Sequence, residues 1–201
     1  MNKKSEIVEQ NNLAFDFLEK LYLESSYLVK EIAGILNEEE EIFLIGKPSG
    51  YGVTTSSSRG LEPNNVKSWS LKKFSVFFVP EEKTELRGGV TVTKIDKNLK
   101  VLYLRIVFYD KTIKEPTVYS GVLHDIEKKN NTSKFTKFEQ IMGHIEYYDN
   151  KFFQDIKKID YENIYIKVQG ELIKNNLFGI SDSETIVNKI IKPSLELYRK
   201  Y

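Results

Sequence analysis

Cysteine is absent from all 201 residues of the chain. That excludes a disulfide scaffold, a thiol nucleophile and any thiolate-held metal or iron–sulfur centre. Arginine is scarce. Of 30 basic residues only Arg59, Arg87, Arg105 and Arg199 are arginines, and the rest are lysines. Arginine grips phosphate and carboxylate through two parallel hydrogen bonds, whereas lysine acts as a hydrated point charge. A surplus of one charge sign is missing too: 30 basic residues face 29 acidic ones, for a net charge of +1. The bulk-charge argument for nucleic-acid binding therefore fails, although nucleic acid stays possible as a partner.

Long apolar runs are also lacking. The longest, such as Val101-Leu102-Tyr103-Leu104 and Ile42-Phe43-Leu44-Ile45, fall far short of a membrane span. The first residues, Met1-Asn2-Lys3-Lys4-Ser5-Glu6, lead into no apolar core of a secretory signal. The expectation is a cytoplasmic protein with no membrane partner. Histidine is limited to His124 and His144, with no second His or any Cys at metal-ligand spacing. No metal and no cofactor are expected.

What is present is the balance of a folded domain, 40% hydrophobic and 29% charged residues. The length suits a single domain, residues 1–201, whose core needs no staples. Residues 5–37 read as helix, because Ala14, Phe17, Leu18, Leu21, Leu28, Ile32, Ile35 and Leu36 recur at three- and four-residue spacing. Glu24-Ser25-Ser26 marks a possible kink, and the acidic run 38–41 opposes the helix dipole and places the end near Asn37.

From Ile42 the period changes to two. Strands are expected at 42–45, 51–55, 74–79, 90–94, 99–109 and 118–126, within a sheet region spanning 42–126. The short polar connections leave no room for crossover helices, so the sheet should be mainly antiparallel. A helix–strand–helix region follows over 134–201. Thr136 and Glu139 form a possible capping box for a mid-chain helix with the stripe Phe138, Ile141, Met142 and Ile145. Residues 161–172 alternate as a strand. Ser181-Asp182-Ser183-Glu184 opens a last helix with the core face Ile186, Val187, Ile190 and Ile191, which Pro193 should kink or end. The expected class is α+β: a mainly antiparallel sheet of about six or seven strands, with an N-terminal helical segment, a mid-chain helix and a C-terminal helix packed on it.

The hairpin over 99–127 is the most informative passage. If Tyr109 pairs with Thr117, Arg105 lies opposite Gly121 and Leu104 opposite Val122. One face collects Leu102, Leu104, Ile106, Phe108, Val118 and Val122, a core face; the other collects Val101, Tyr103, Arg105, Val107, Tyr109, Tyr119 and Leu123. An arginine among tyrosines suggests a binding surface of Tyr103, Arg105 and Tyr119. The simpler reading pairs Arg105 with a carboxylate from a covering helix, supplied by Glu19, Glu24 or Glu31.

Other candidates are weaker. Gly46-Lys47-Pro48-Ser49-Gly50-Tyr51-Gly52 is neither a Walker loop nor a dinucleotide fingerprint; if the 46–60 loop is functional, Lys47 and Arg59 make it an anion or partner contact. Glu127-Lys128-Lys129 has the Glu-x-Lys spacing of metal-dependent nucleases, with Asp110 or Asp125 as a possible second ligand, a triplet also expected by chance in so Lys- and Glu-rich a chain. His124 reads as a hydrogen-bonded core histidine and Trp69 as a lid on the core. The leading expectation is a non-enzymatic protein-binding or adaptor module. Its alternatives are a metal-dependent nucleic-acid-processing enzyme acting through Asp125, Glu127 and Lys129, and a carrier of a small apolar ligand lined by Phe74, Phe78, Leu104 and Ile190.

Overall fold

A computed structural model describes residues 3–38, 43–46, 71–86, 90–92, 95, 98–129, 138–148 and 156–201. The expected strand at 51–55, Lys47, Arg59, Trp69 and Thr136 lie outside them, as does the side chain of His144.

Helix α1 runs unbroken from Lys3 to Asn37. Ser25 does not interrupt it; its buried hydroxyl donates back to the Leu21 carbonyl at 2.8 Å and so needs no partner outside the helix. The strands are β1 (Phe43–Gly46), β2 (Lys73–Pro80), β3 (Thr84–Leu86), β4 (Val90–Val92), β5 (Val101–Val107), β6 (Thr117–Lys128), β7 (Ile159–Glu162) and β8 (Ile166–Asn176). Helix α2 (Phe138–Tyr148) stands between β6 and β7. After β8 come a 3-10 turn (Leu177–Gly179), the one-turn helix α3 (Ser183–Ile186), a π stretch (Val187–Ile191) and α4 (Lys192–Lys200).

Six strands form one sheet in the order β1-β2-β5-β6-β8-β7, and every neighbouring pair is antiparallel. The short β3 and β4 pair separately as a two-stranded ribbon. The α+β class and the antiparallel sheet hold, but the strand inventory differs from the expected one. Residues 90–92 belong to the ribbon, and its partner 84–86 has only one apolar residue to announce it. The single strand expected over 161–172 is two. Asn163 breaks it by accepting hydrogen bonds from the N–H groups of Tyr165 and Ile166, at 2.8 and 2.9 Å. Such a side-chain turn reverses the chain where alternation alone reads continuous strand.

The sheet carries apolar residues on both faces, so both are covered. One face, with Val76, Phe78, Leu102, Leu104, Ile106, Val118 and Val122, packs against Leu21, Leu28, Ile32 and Leu36 of α1 and against Ile186, Ile190, Leu195 and Tyr198 of the C-terminal helical run. The other face, with Phe77, Val79, Val101, Tyr103, Leu123 and Val168, packs against Phe138, Ile141 and Met142 of α2. The result is three layers with the sheet in the middle.

Pro193 does not end the C-terminal run. The π stretch immediately before it widens the backbone spacing, and Pro193 then falls within the first turn of α4, where a missing N–H costs least.

Candidate functional site

The central hairpin has the two expected faces in a different register. Arg105 pairs with Tyr119 and Tyr103 with Gly121, two residues from the expected alignment. The shift is by an even number, so no side chain changes face. It arises because the strands stop at Val107 and Thr117, while the Phe108 and Tyr109 N–H groups both turn to the Lys72 carbonyl. Gly121 therefore does not stand opposite Arg105. Gly121 instead lets β8 approach: a Cβ at this position would stand 2.1 Å from the Glu171 carbonyl oxygen.

Arg105 is in a buried ion pair, with a carboxylate from another helix than the expected one. Its guanidinium lies 3.4 Å from Glu146 of α2, and the two side chains are 4% and 2% exposed. Glu19, Glu24 and Glu31 belong to α1, on the opposite side of the sheet; alternation along β5 aims Arg105 at α2 instead. The Ser75 hydroxyl donates to one Glu146 oxygen at 2.5 Å, and the Tyr103 hydroxyl to the other at 2.7 Å. Burial pushes the Glu146 carboxyl well above the usual carboxylate range, and burial also raises the Tyr103 phenol against the lowering field of Arg105. Tyr119 is half-buried at the margin of the same core. Glu146 follows Met142 by four residues, so it sits on the apolar stripe of α2. A carboxylate there calls for a buried donor, and that was the sequence signal for this pair.

Asp125, Glu127 and Lys129 take up separate contacts. Asp125 adopts a left-handed backbone, φ 48°, at a register shift between His124 and Glu127, and its carboxylate lies 2.7 Å from His124 Nδ1. Glu127 stands beside Lys167 in the β6–β8 ladder, and the Lys129 amine donates to Glu162. The buried His124 ring stacks on Tyr201 at 3.9 Å, and Tyr201 and Lys200 both donate to Glu171. These donors, Lys200 first, hold the Glu171 carboxyl below its usual range. Among the described residues, no group of three or more His, Cys, Asp or Glu side chains could hold a metal ion. Phe74, Phe78, Leu104 and Ile190 pack together in the core beneath α1.

The surface offers a different site. A groove of about 440 Å³ runs between α1 and the Leu177–Ile186 segment. Its apolar lining is Leu21, Leu28, Leu177, Ile180 and Ile186, and the exposed rings of Tyr27 and Phe178 stand at its edge. Phe178 is presented by the 3-10 turn, where its N–H donates to the Asn176 side chain at 2.9 Å and the Leu177 N–H to the Pro116 carbonyl. Three carboxylates, Glu24, Glu31 and Asp182, line the groove, and no lysine or arginine does so among the described residues. Glu31 accepts from the Ser183 hydroxyl, which ties the two walls together. Asp182 caps α3, and the Thr185 N–H together with the Ser181 hydroxyl holds its carboxyl below its usual range, so it stays charged. Sequence reading missed this groove because its walls are 152 residues apart at the Ser183–Glu31 contact.

The same helix has a second uncovered region. Every residue from Ser5 to Phe17 is exposed, although Ile7, Val8, Leu13, Phe15 and Phe17 are among them. No helix among the described residues is long and apolar enough to cross a membrane. Comparison with protein-family models, curated proteins and solved structures finds no match for this chain.

Proposed function

We propose that this chain is a non-enzymatic protein-binding module that takes an apolar segment flanked by basic residues into the groove between α1 and the Leu177–Ile186 segment. One observation carries the reading: an apolar floor with two exposed aromatic rings at its edge and three carboxylates around it. Aromatic anchors beside an apolar pocket are the usual centre of a protein interface. Acidic groups at the rim favour a basic partner through its approach rate and orientation more than through raw affinity. Lys20 lies 3.8 Å from Glu24, and the Lys189 amine bonds the Gly179 carbonyl, so the local basic groups neutralise the groove only in part.

The test is capture of partners from the lysate of the protein's own cells, with and without nuclease, using the wild type, Phe178→Asp and the pair Glu24→Lys/Glu31→Lys. A stoichiometric protein should survive nuclease treatment, disappear with Phe178→Asp and weaken with the charge reversals. Equal capture by all three proteins would overturn the reading, as would recovery of partners only through nucleic acid.

A further inference from the structure

The exposed half of α1 carries most of its apolar residues on one face, Leu13 excepted. Assigning Ile7, Ala14, Leu21 and Leu28 to heptad position d, and Leu18, Ser25 and Ile32 to position a, gives one continuous seam along the helix. From Leu21 onward the body covers that seam: Leu21, Ser25, Leu28 and Ile32 are all buried. Ahead of Leu21 it is uncovered among the described residues; Leu18 is half-covered and Ile7, Asn11 and Ala14 are exposed. The a, d, e and g positions from Ile7 to Leu18 are Ile7, Val8, Gln10, Asn11, Ala14, Phe15, Phe17 and Leu18, which include no charge. The charged Glu6, Glu9, Asp16, Glu19 and Lys20 all fall on the outer b, c and f positions. An isolated helix of this length is marginal in water, so this half gains order by packing on something.

We infer that the occupant is the same half of a second copy, paired antiparallel. The seam is self-complementary in that direction: Ile7 meets the second copy's Leu18, Asn11 meets its Ala14, and Val8 meets its Phe15. The flanking charges point away, so the acidic excess of this segment does not oppose the pairing. The antiparallel direction also keeps the two bodies at opposite ends of the paired segment, whereas a parallel helix would bring its own body to the same end. The area suffices for a reversible dimer. Ile7, Val8, Phe15 and Phe17 keep 58%, 52%, 67% and 57% of their surface. At roughly 100 Å² for each, these four residues in two copies bury about 800 Å² in total, the size of a weak, transient contact. This pairing leaves the groove open and stands apart from the partner reading.

Sedimentation equilibrium over about 1 to 300 µM tests it, a range that brackets micromolar affinity. The wild type should pass from monomer to dimer, and Phe15→Asp, whose ring touches no core residue, should weaken the dimer at least ~10-fold. Phe178→Asp should leave it unchanged. Direction is read from disulfides, because the chain has no thiol of its own. Oxidising a mixture of Ile7→Cys and Leu18→Cys should give mainly the mixed 7–18 dimer. Mainly 7–7 and 18–18 dimers would overturn the antiparallel arrangement. A wild type that stays monomeric at the highest concentration, with these residues covered by another part of the chain or by a foreign protein, would overturn the pairing altogether while leaving the groove reading intact.

Discussion

Glu146 is held between a guanidinium, a serine hydroxyl and a phenol, with almost no water in reach. Removing one member of such a pair leaves the other charge buried and costs about 3–5 kcal/mol, whereas replacing both by apolar groups of similar volume is close to neutral. Glu146→Ala should therefore lower the urea midpoint sharply, and Arg105→Met/Glu146→Leu should recover most of the loss; a double variant as unstable as the sum of the two singles would contradict this. The pH dependence has a definite sign. Burial raises the folded-state value above the ordinary 4.5, so stability from this group is full below about pH 4.5 and declines as pH rises through the raised value. The midpoint should fall as pH rises above about 4.5 in the wild type. In Glu146→Gln that part of the slope should vanish, and its persistence would assign the slope to other groups. Arg105 was conspicuous in the sequence as a lone arginine on an apolar strand, and the alternation of β5 fixed its face. Its partner was less visible, since which helix covers which face depends on packing across the sheet, and three glutamates of α1 fitted the local pattern equally well.

At the scale of elements, glycines set how closely strands approach. Gly121 has the Glu171 carbonyl where a Cβ would go, and Gly170 has the Val122 carbonyl 2.6 Å from the same point. Both obstacles are backbone, so neither can swing aside. Gly121→Ala should destabilise by the upper part of the 1–3 kcal/mol usual for overpacking, measured as a lower urea midpoint with an unchanged slope. A neutral result would show that β6 and β8 part more easily than the ladder suggests. Strand and helix periods were readable over most of the described residues, β3 and the break at Asn163 excepted, and α1 ends at Asn37 as the acidic run after it implied. Two kinds of feature were not readable. Register depended on where the hairpin frays, which Lys72 decides from a neighbouring strand. The continuity of the last helix depended on a π stretch, for which Pro193 alone reads as a stop.

At the scale of the molecule, residues 5–17 make no contribution to the core, while the second half of α1 forms part of it. Deleting residues 1–17 should thus change the unfolding free energy at low protein concentration by less than about 1 kcal/mol, as for surface changes in general. Collapse of the fold on that deletion would mean that the segment packs on the body after all. The groove lies on the opposite side of the sheet from the Arg105–Glu146 pair. It is built by two segments distant in sequence, so composition and spacing could point to a binding module without pointing to where it binds.

Hydrogen exchange of the protein alone and in the complex it captures is the most direct measurement of the central claim. The account predicts new protection over residues 21–31 and 177–186, the two walls of the groove. Protection confined to residues 124–129 and 160–167, with the groove walls unchanged, would contradict it and move the interaction to the β6–β8–β7 end of the sheet.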